Sequence, residues 1–504
     1  MRTRPSAALL LCFAAGPAVA LDPLPDPILK GSRSAALVDF AQVPPSAVSA
    51  PLARINLLGH AGDGSGRVFV NDMRGALWAI DDGDVQAGPF FDLATALGSD
   101  FNQAGLQVGF STFAFHPDFA SSGSEGFGKL YTAHSEVPGS GTPDFDSPQA
   151  NVTHHSVVAE WSLDPGLGRI DPGSKRELLR VGEWTRDHNV GQIAFNPNAS
   201  LGSAEYGTLY IAFGDGGMLA GGEIDPARTA QDTSNPFGSI LRIDPLGIGS
   251  GELSANESYW IPDDNPFAGA ADGSLGEIYA YGFRNPHRFS WDTGGDGRLI
   301  VSDIGQANIE EIGVVEAGSN HGWSEREGYF VVNHANQDIL LPLPDNDDLL
   351  GFSYPAAQYD HDEGRAVVGG FVYRGARLPQ LFGRYVFGDV ANGRIFTVDV
   401  DDLISGEPAL IEELVLLYEG EERDLLDILG APRADLRFGM DEAGEIYVLT
   451  KRDGMVRALV PEPASGLLLM LGLAGLARQH RRSGRMSLRG RARGGALGRG
   501  VRHG

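Results

Sequence analysis

Two short runs of this chain carry the side chains that move protons and receive negative charge. Tyr281–Trp291 reads Tyr-Gly-Phe-Arg-Asn-Pro-His-Arg-Phe-Ser-Trp and sets a guanidinium, an amide and stackable rings on a loop beside a strand-like run. Arg284 is a planar, permanently charged fork suited to a carboxylate oxygen. About a hundred residues earlier, Arg186-Asp187-His188-Asn189 supplies a base. An imidazole titrates near neutrality, and a neighbouring carboxylate can hold its tautomer. Each run also has a plain structural reading. His188 could be a loop histidine held by a backbone carbonyl, and Arg284 could staple a loop to an acid such as Glu277.

Residues so far apart share a site only if the fold brings their loops together. The region from about 40 to 460 has no long helical pattern, 69 glycines lie in the chain and turn clusters recur, which favours all-β structure. One phrase appears six times: glycine, any residue, then a β-prone triplet. The copies begin at Gly66, Gly128, Gly207, Gly297, Gly383 and Gly444, at spacings from 61 to 90 residues. Strand-like runs precede several copies and follow most of them. Repeats of this kind predict a six-bladed β-propeller with four-stranded antiparallel blades; a pair of β-sandwiches is the alternative. In a propeller, loops of different blades meet at one mouth of the central channel.

The stretches Phe113–Phe119, His188–Pro197, Phe213–Gly217, Asn235–Pro245, Glu277–Trp291, Ser302–Ile312, Asn320–Trp323 and Gly369–Asp389 resemble, in order, the glucose/sorbosone dehydrogenase family. Its enzymes use pyrroloquinoline quinone (PQQ). The resemblance covers about Leu52 to Val460. It implies that His188 is the general base for a sugar hydroxyl, that Asp187 orients the histidine or the substrate, and that Arg284 and Asn285 contact the quinone. It further implies that the backbone carbonyls of Gly305 and Gln306 bind the Ca2+ that holds the cofactor. Glu311 and the backbone of His321 correspond to a second, structural Ca2+ site. The alternative for this acidic stretch is solvated turn residues.

The family also places a lysine near Ala391-Asn392 and arginines near Pro432–Leu436. No lysine stands there, and Arg433 is the nearby arginine. A divergent branch of the family, the Hedgehog-interacting-protein-like propellers, shares the Tyr373-Arg374-Gly375 style of later blade. That leaves a non-catalytic, carbohydrate- or protein-binding propeller as the second reading. Other polar clusters carry less. Phe213-Gly214-Asp215-Gly216-Gly217 follows a strand without opening an evident helix, so a phosphate cradle is disfavoured. Asp345–Asp348 and Asp360–Glu363 read as solvated loops.

The ends carry addresses. Residues 1–20 form an export signal, with Arg2 and Arg4 before the apolar run Ala7–Ala15 and Ala18-Val19-Ala20 at the cleavage site. Residues 21–45 read as a linker and 46–460 as the propeller domain. Val460-Pro461-Glu462-Pro463, an apolar run of 14 residues over Ala464–Ala477 and a basic stretch resemble a PEP-CTERM sorting signal over 461–482. Its short transmembrane helix would be about 21 Å long, against a bilayer core of about 30 Å. Residues 483–504 read as a basic, disordered tail. Such a chain is exported to the periplasm, surface or extracellular matrix of a Gram-negative bacterium and is handled there by sorting machinery.

With the basic residues of 1–20 and 478–504 set aside, 28 basic face 66 acidic residues. That surface disfavours nucleic acid and suits a neutral sugar or polyol and divalent cations. Cys12 is the sole cysteine, which excludes disulfides and attached haem beyond the signal. Electrons from any oxidation would leave to an external acceptor.

Overall fold

The computed structural model describes residues 23–218, 224–225 and 228–462. The expected export signal, the apolar sorting run and the basic tail lie outside the described residues. Within them, strands dominate, and the only α-helices are the five-residue Leu93–Leu97 and Leu425–Leu429. No helix among the described residues is long and apolar enough to cross a membrane.

The strands form antiparallel groups in chain order. Val190–Phe195, Leu209–Phe213, Ser239–Ile243 and Ile278–Tyr281 pair in sequence, as do Arg288–Trp291, Leu299–Asp303, Ile309–Val315 and Ala357–Asp360. The repeated phrase marks the second strand of such groups, for example Val68–Asp72, Leu209–Phe213 and Ile446–Thr450. Its glycine has φ between 69° and 81° in all six copies. The turn into that strand needs a left-handed residue, which glycine supplies without a Cβ clash.

The first strands of successive groups adjoin one another. Ile55–His60 contacts Phe110–Phe115, which contacts Val190–Phe195, which contacts Arg288–Trp291. Leu436–Met440 returns to pair in parallel with Ile55–His60 at Leu58–Gly439. This is the arrangement of a β-propeller, with apolar cores between the groups. Long-range clamps bind the groups. Arg374 forks onto Asp292 (2.8 and 2.6 Å), and Tyr373 donates to Glu445 (2.7 Å).

The segment expected to be a linker over 21–45 is instead largely a strand. Lys30–Gln42 pairs antiparallel with Met455–Val460 and parallel with Glu412–Tyr418. Without it, the last strand would leave an open edge of unpaired backbone groups. Ala35 and Leu37 are fully buried against Leu414, Val448 and Leu459. In two loops expected to be solvated, Asp345, Asp348 and Asp362 are exposed, but single neighbours are built into the structure. Asp347 is buried on Arg326 at 2.6 Å, and His361 reaches buried Glu310 at 3.0 Å beside buried Asp360. In both places a partner distant in sequence meets the acid or its neighbour.

The closing strand gives a direct test. Leu37 is 2% and Val38 50% exposed. Leu37→Ala is expected to cost about 2–5 kcal/mol in a denaturant melt, because it empties a packed site. Val38→Ala should stay within about 0.5 kcal/mol. Equal effects would contradict the closure.

Candidate functional site

The loop between Arg176–Glu183 and Val190–Phe195 turns sharply at His188, whose φ is 55°. Few non-glycine residues adopt this conformation, and histidine is among those enriched there. Thr185 helps hold the turn. Its hydroxyl oxygen accepts the Asp187 N–H (3.1 Å) and lies against the carbonyls of Asp187 and Gly216. Gln107 accepts the His188 N–H.

The imidazole is fixed by Asp215. His188 Nδ1 lies 2.6 Å from Asp215 Oδ1. The same oxygen accepts the Gly217 N–H (2.9 Å), and Oδ2 accepts Trp323 Nε1–H (2.8 Å). Burial opposes charge on Asp215, but the adjoining His188 and the hydrogen bonds keep its carboxyl below the ordinary range. A carboxylate acceptor on Nδ1 places the proton there and leaves Nε2 able to take one. Nε2 has no hydrogen-bond partner among the described residues.

The orienting acid is therefore Asp215, and the expectation for Asp187 is corrected in that part. Asp187 is exposed on the rim. The glycine-rich run that contains Asp215 is a packing device. A Cβ on Gly214 would lie 2.5 Å from the His188 carbonyl oxygen, and one on Gly216 2.1 Å from Trp184. Glycines bracketing a lone acid beside a strand were the available signal for Asp215.

Asp215 also joins His188 to Arg284, because its N–H donates to the Arg284 carbonyl at 2.8 Å. The N–H groups of Arg284 and Asn285 both donate to Asp303, at 2.9 and 2.5 Å. The Arg284 guanidinium reaches Gln306 Oε1 (3.0 and 2.5 Å) and the Ile304 carbonyl (2.8 Å), and lies 5.6 Å over Trp323. All of these acceptors are neutral, so its charge is available to an anionic ligand oxygen. Glu277 instead accepts from Tyr259, so Arg284 is no staple to that acid. Asn285 lines a small void with Asn189, His287, Arg437 and Lys451.

The Gly305–Gln306 turn is held by Glu327, whose Oε1 accepts the N–H groups of Gln306, Ala307, Asn308 and Ile309. The carbonyls of Gly305 and Gln306 accept no hydrogen bond among the described residues. Oxygen donors of this kind fit a calcium ion. Glu311 pairs across the strands with Asp303 and accepts the Gly328 N–H at 2.7 Å. Burial, then the Asp303 charge, pushes Glu311 well above the ordinary glutamate range. Asp303 is pushed up to about 7, chiefly by burial. These desolvated acids suit a bound cation. His321 stacks on Phe283 at 4.3 Å, and Ser319 lies 3.0 Å from its Nε2. Its ring face and Nε2 are thereby engaged within the protein.

A cavity of about 490 Å³ lies elsewhere. It is lined by Gly59–Gly62, Phe115–Pro117, Asn196–Ala199 and Met440–Glu442. These residues lie at or beyond the C-terminal ends of the inner strands, whereas His188 and Arg284 precede the N-terminal ends. The two places are opposite ends of the ring.

The buried acid gives a pH test. Glu311 is protonated when folded at pH values where the unfolded chain releases the proton, above about 4.5. Without divalent cation, wild-type stability should therefore fall relative to Glu311→Gln as pH rises from about 5 to 8, by at most about 1.4 kcal/mol per unit. Added calcium should remove the decline in a pH series of melts. Parallel curves in chelator would contradict this environment.

A profile described as Glucose / Sorbosone dehydrogenase matches residues 58–456, and one described as a PEP-CTERM protein-sorting motif matches 459–482. The latter indicates export in a Gram-negative bacterium. HIPL1 protein of Arabidopsis thaliana is 27% identical over 81% of this chain and 61% of its own length. Human Hedgehog-interacting protein is 27% identical over 79% of this chain and 49% of its own. The chain thus spans less than two thirds of these curated relatives. The solved PQQ-bound aldose sugar dehydrogenase of Streptomyces coelicolor shares the fold, with a TM-score of 0.53 at 18% identity over 85% of this chain and 98% of that one.

Proposed function

The chain belongs to the glucose/sorbosone dehydrogenase family, and on that premise we propose that it is an exported oxidoreductase that oxidises a sugar or polyol hydroxyl with PQQ and Ca2+. One observation carries the proposal. A histidine with an open Nε2 is fixed by the carboxylate whose own N–H binds the Arg284 backbone.

In this reading PQQ, when bound, supplies the hydride acceptor, and calcium on the Gly305 and Gln306 carbonyls supplies a Lewis acid. His188 Nε2 takes the hydroxyl proton from the substrate. Asp215 keeps Nδ1–H pointed away from the sugar and stabilises the imidazolium that forms. The Arg284 guanidinium, whose hydrogen-bond partners are neutral, would stabilise the oxygen on which negative charge grows. Asn285 donates to a neighbouring oxygen, and Asp187 on the rim meets the substrate. Glu311 and the His321 main chain would hold the second calcium ion. Electrons pass on to an external acceptor, and the carboxy-terminal motif delivers the chain to its sorting machinery.

We read the ring as six blades of four strands. The six phrase copies support this, as does Lys30–Gln42 acting as the outer strand of the last blade. The second reading is a propeller that binds a carbohydrate or protein without chemistry. It is favoured by the relatives named for Hedgehog interaction.

Sugar-dependent reduction of an artificial electron acceptor in the presence of PQQ and calcium tests the proposal. His188→Ala should lower kcat about 10²–10⁴-fold, the usual worth of a general base. Asp215→Asn should lower kcat more than it raises KM, since its work is orienting the base. Absence of PQQ binding at micromolar concentration would favour the binding module instead.

A further inference from the structure

Next to the proposed site lies a group of cations without counter-charges. Arg54, Arg288, Arg437 and Lys451 are each 6–8% exposed, yet none lies within 4 Å of a carboxylate among the described residues. Asp435, an acid close enough to influence Arg54, Arg437 and Lys451, is itself bound to Arg433 at 2.5 Å.

The four side chains are gathered by two shared neighbours. Lys451 Nζ and Arg54 Nη2 both rest on Met73 Sδ, at 3.2 and 3.6 Å. Arg437 Nε and Arg288 Nη2 both meet Asn56, at its Oδ1 (3.0 Å) and its carbonyl (3.1 Å). Asn56, Met73, Arg437 and Lys451 line the void of about 20 Å³ that also touches Asn189, Asn285 and His287. Asn189 Oδ1 and His287 Nε2 are buried and have no hydrogen-bond partner among the described residues.

A buried ammonium resting on a thioether, with guanidinium groups around it, is a costly arrangement unless an anion completes it. Burial, then mutual repulsion, lowers Lys451 well below the ordinary lysine range and brings Arg437 down to about 10. The void has room for little more than the tip of a ligand. An entering group must therefore be a small anionic end of a molecule whose remainder lies toward Asn285.

We propose that this void is a carboxylate pocket, in which Lys451 and Arg437, which line it, receive one carboxylate of the quinone cofactor or of an acidic sugar, while Arg54 and Arg288 add positive charge from behind, held on backbone carbonyls. The cofactor source rests on the dehydrogenase reading. Arg54, Arg437 and Lys451 come from the first and last groups of strands and Arg288 from the strand Arg288–Trp291, whereas Ala391-Asn392 supply no cation and exposed Arg433 is occupied by Asp435.

Binding of three probes to the full chain tests this: formate by melting temperature, PQQ by absorbance titration, and glucuronate by calorimetry. Lys451→Met keeps the volume and removes the charge. Lys451→Gln keeps a donor and serves as the second variant. The variants are expected to melt at or above wild type without anion and to lose the stabilisation by formate. PQQ or glucuronate, whichever is the source, should bind at least about tenfold more weakly, the loss of one charge-assisted hydrogen bond. A loss for PQQ alone assigns the cofactor, and a loss for glucuronate alone assigns the substrate. Formate stabilisation that depends on Lys451 in a protein that binds no PQQ would keep the pocket and remove the dehydrogenase reading. PQQ binding that is equal in wild type and both variants, with no formate effect, would overturn the pocket and leave the dehydrogenase reading standing.

Discussion

A single buried carboxylate organises the candidate site. Asp215 accepts from His188 and Trp323 through its side chain and binds Arg284 through its backbone, so three distant loops have one meeting point. Its environment can keep an ionised acid there only because these donors replace water. The tight glycine packing on either side follows from the same need. Any side chain at 214 or 216 would push the His188 loop or Trp184 away from the acid.

Charge is divided around that centre. On one side, Asp303 and Glu311 are desolvated acids facing each other across paired strands. On another, Arg54, Arg288, Arg437 and Lys451 crowd together without an acid in salt-bridge range among the described residues. A ligand bringing both a divalent cation and carboxylates would answer both imbalances, whereas a neutral sugar alone would answer neither. The channel's opposite end holds the cavity of about 490 Å³. His60 and His116 there are both held below the ordinary histidine range by burial.

The sequence made the repeat legible because its cause is local. A left-handed turn before an apolar strand demands glycine wherever it occurs, so six turns left six glycines in register. His188 and Arg284 were legible as types on loops, and the fold joins them at one end of the ring. Asp215 was not recognised, because its role depends on a loop nearly thirty residues earlier and on Trp323 more than a hundred residues later. Lys30–Gln42 was missed for a similar reason. An alanine-rich segment reads as linker until the open edge of Met455–Val460 is placed beside it. The cation group was invisible because its members are spread from Arg54 through Arg288 to Arg437 and Lys451, each at or near an ordinary strand.

The central claim is that Asp215 fixes the tautomer of His188 and leaves Nε2 free as a base. Nitrogen-15 NMR of the histidine side chains at neutral pH tests it most directly, with Asp215→Asn used for assignment. The account predicts a proton on His188 Nδ1, strongly deshielded by the carboxylate, and an unprotonated Nε2, with the Nδ1 signal moved in the variant. A neutral His188 protonated on Nε2, or a spectrum indifferent to Asp215, would contradict it.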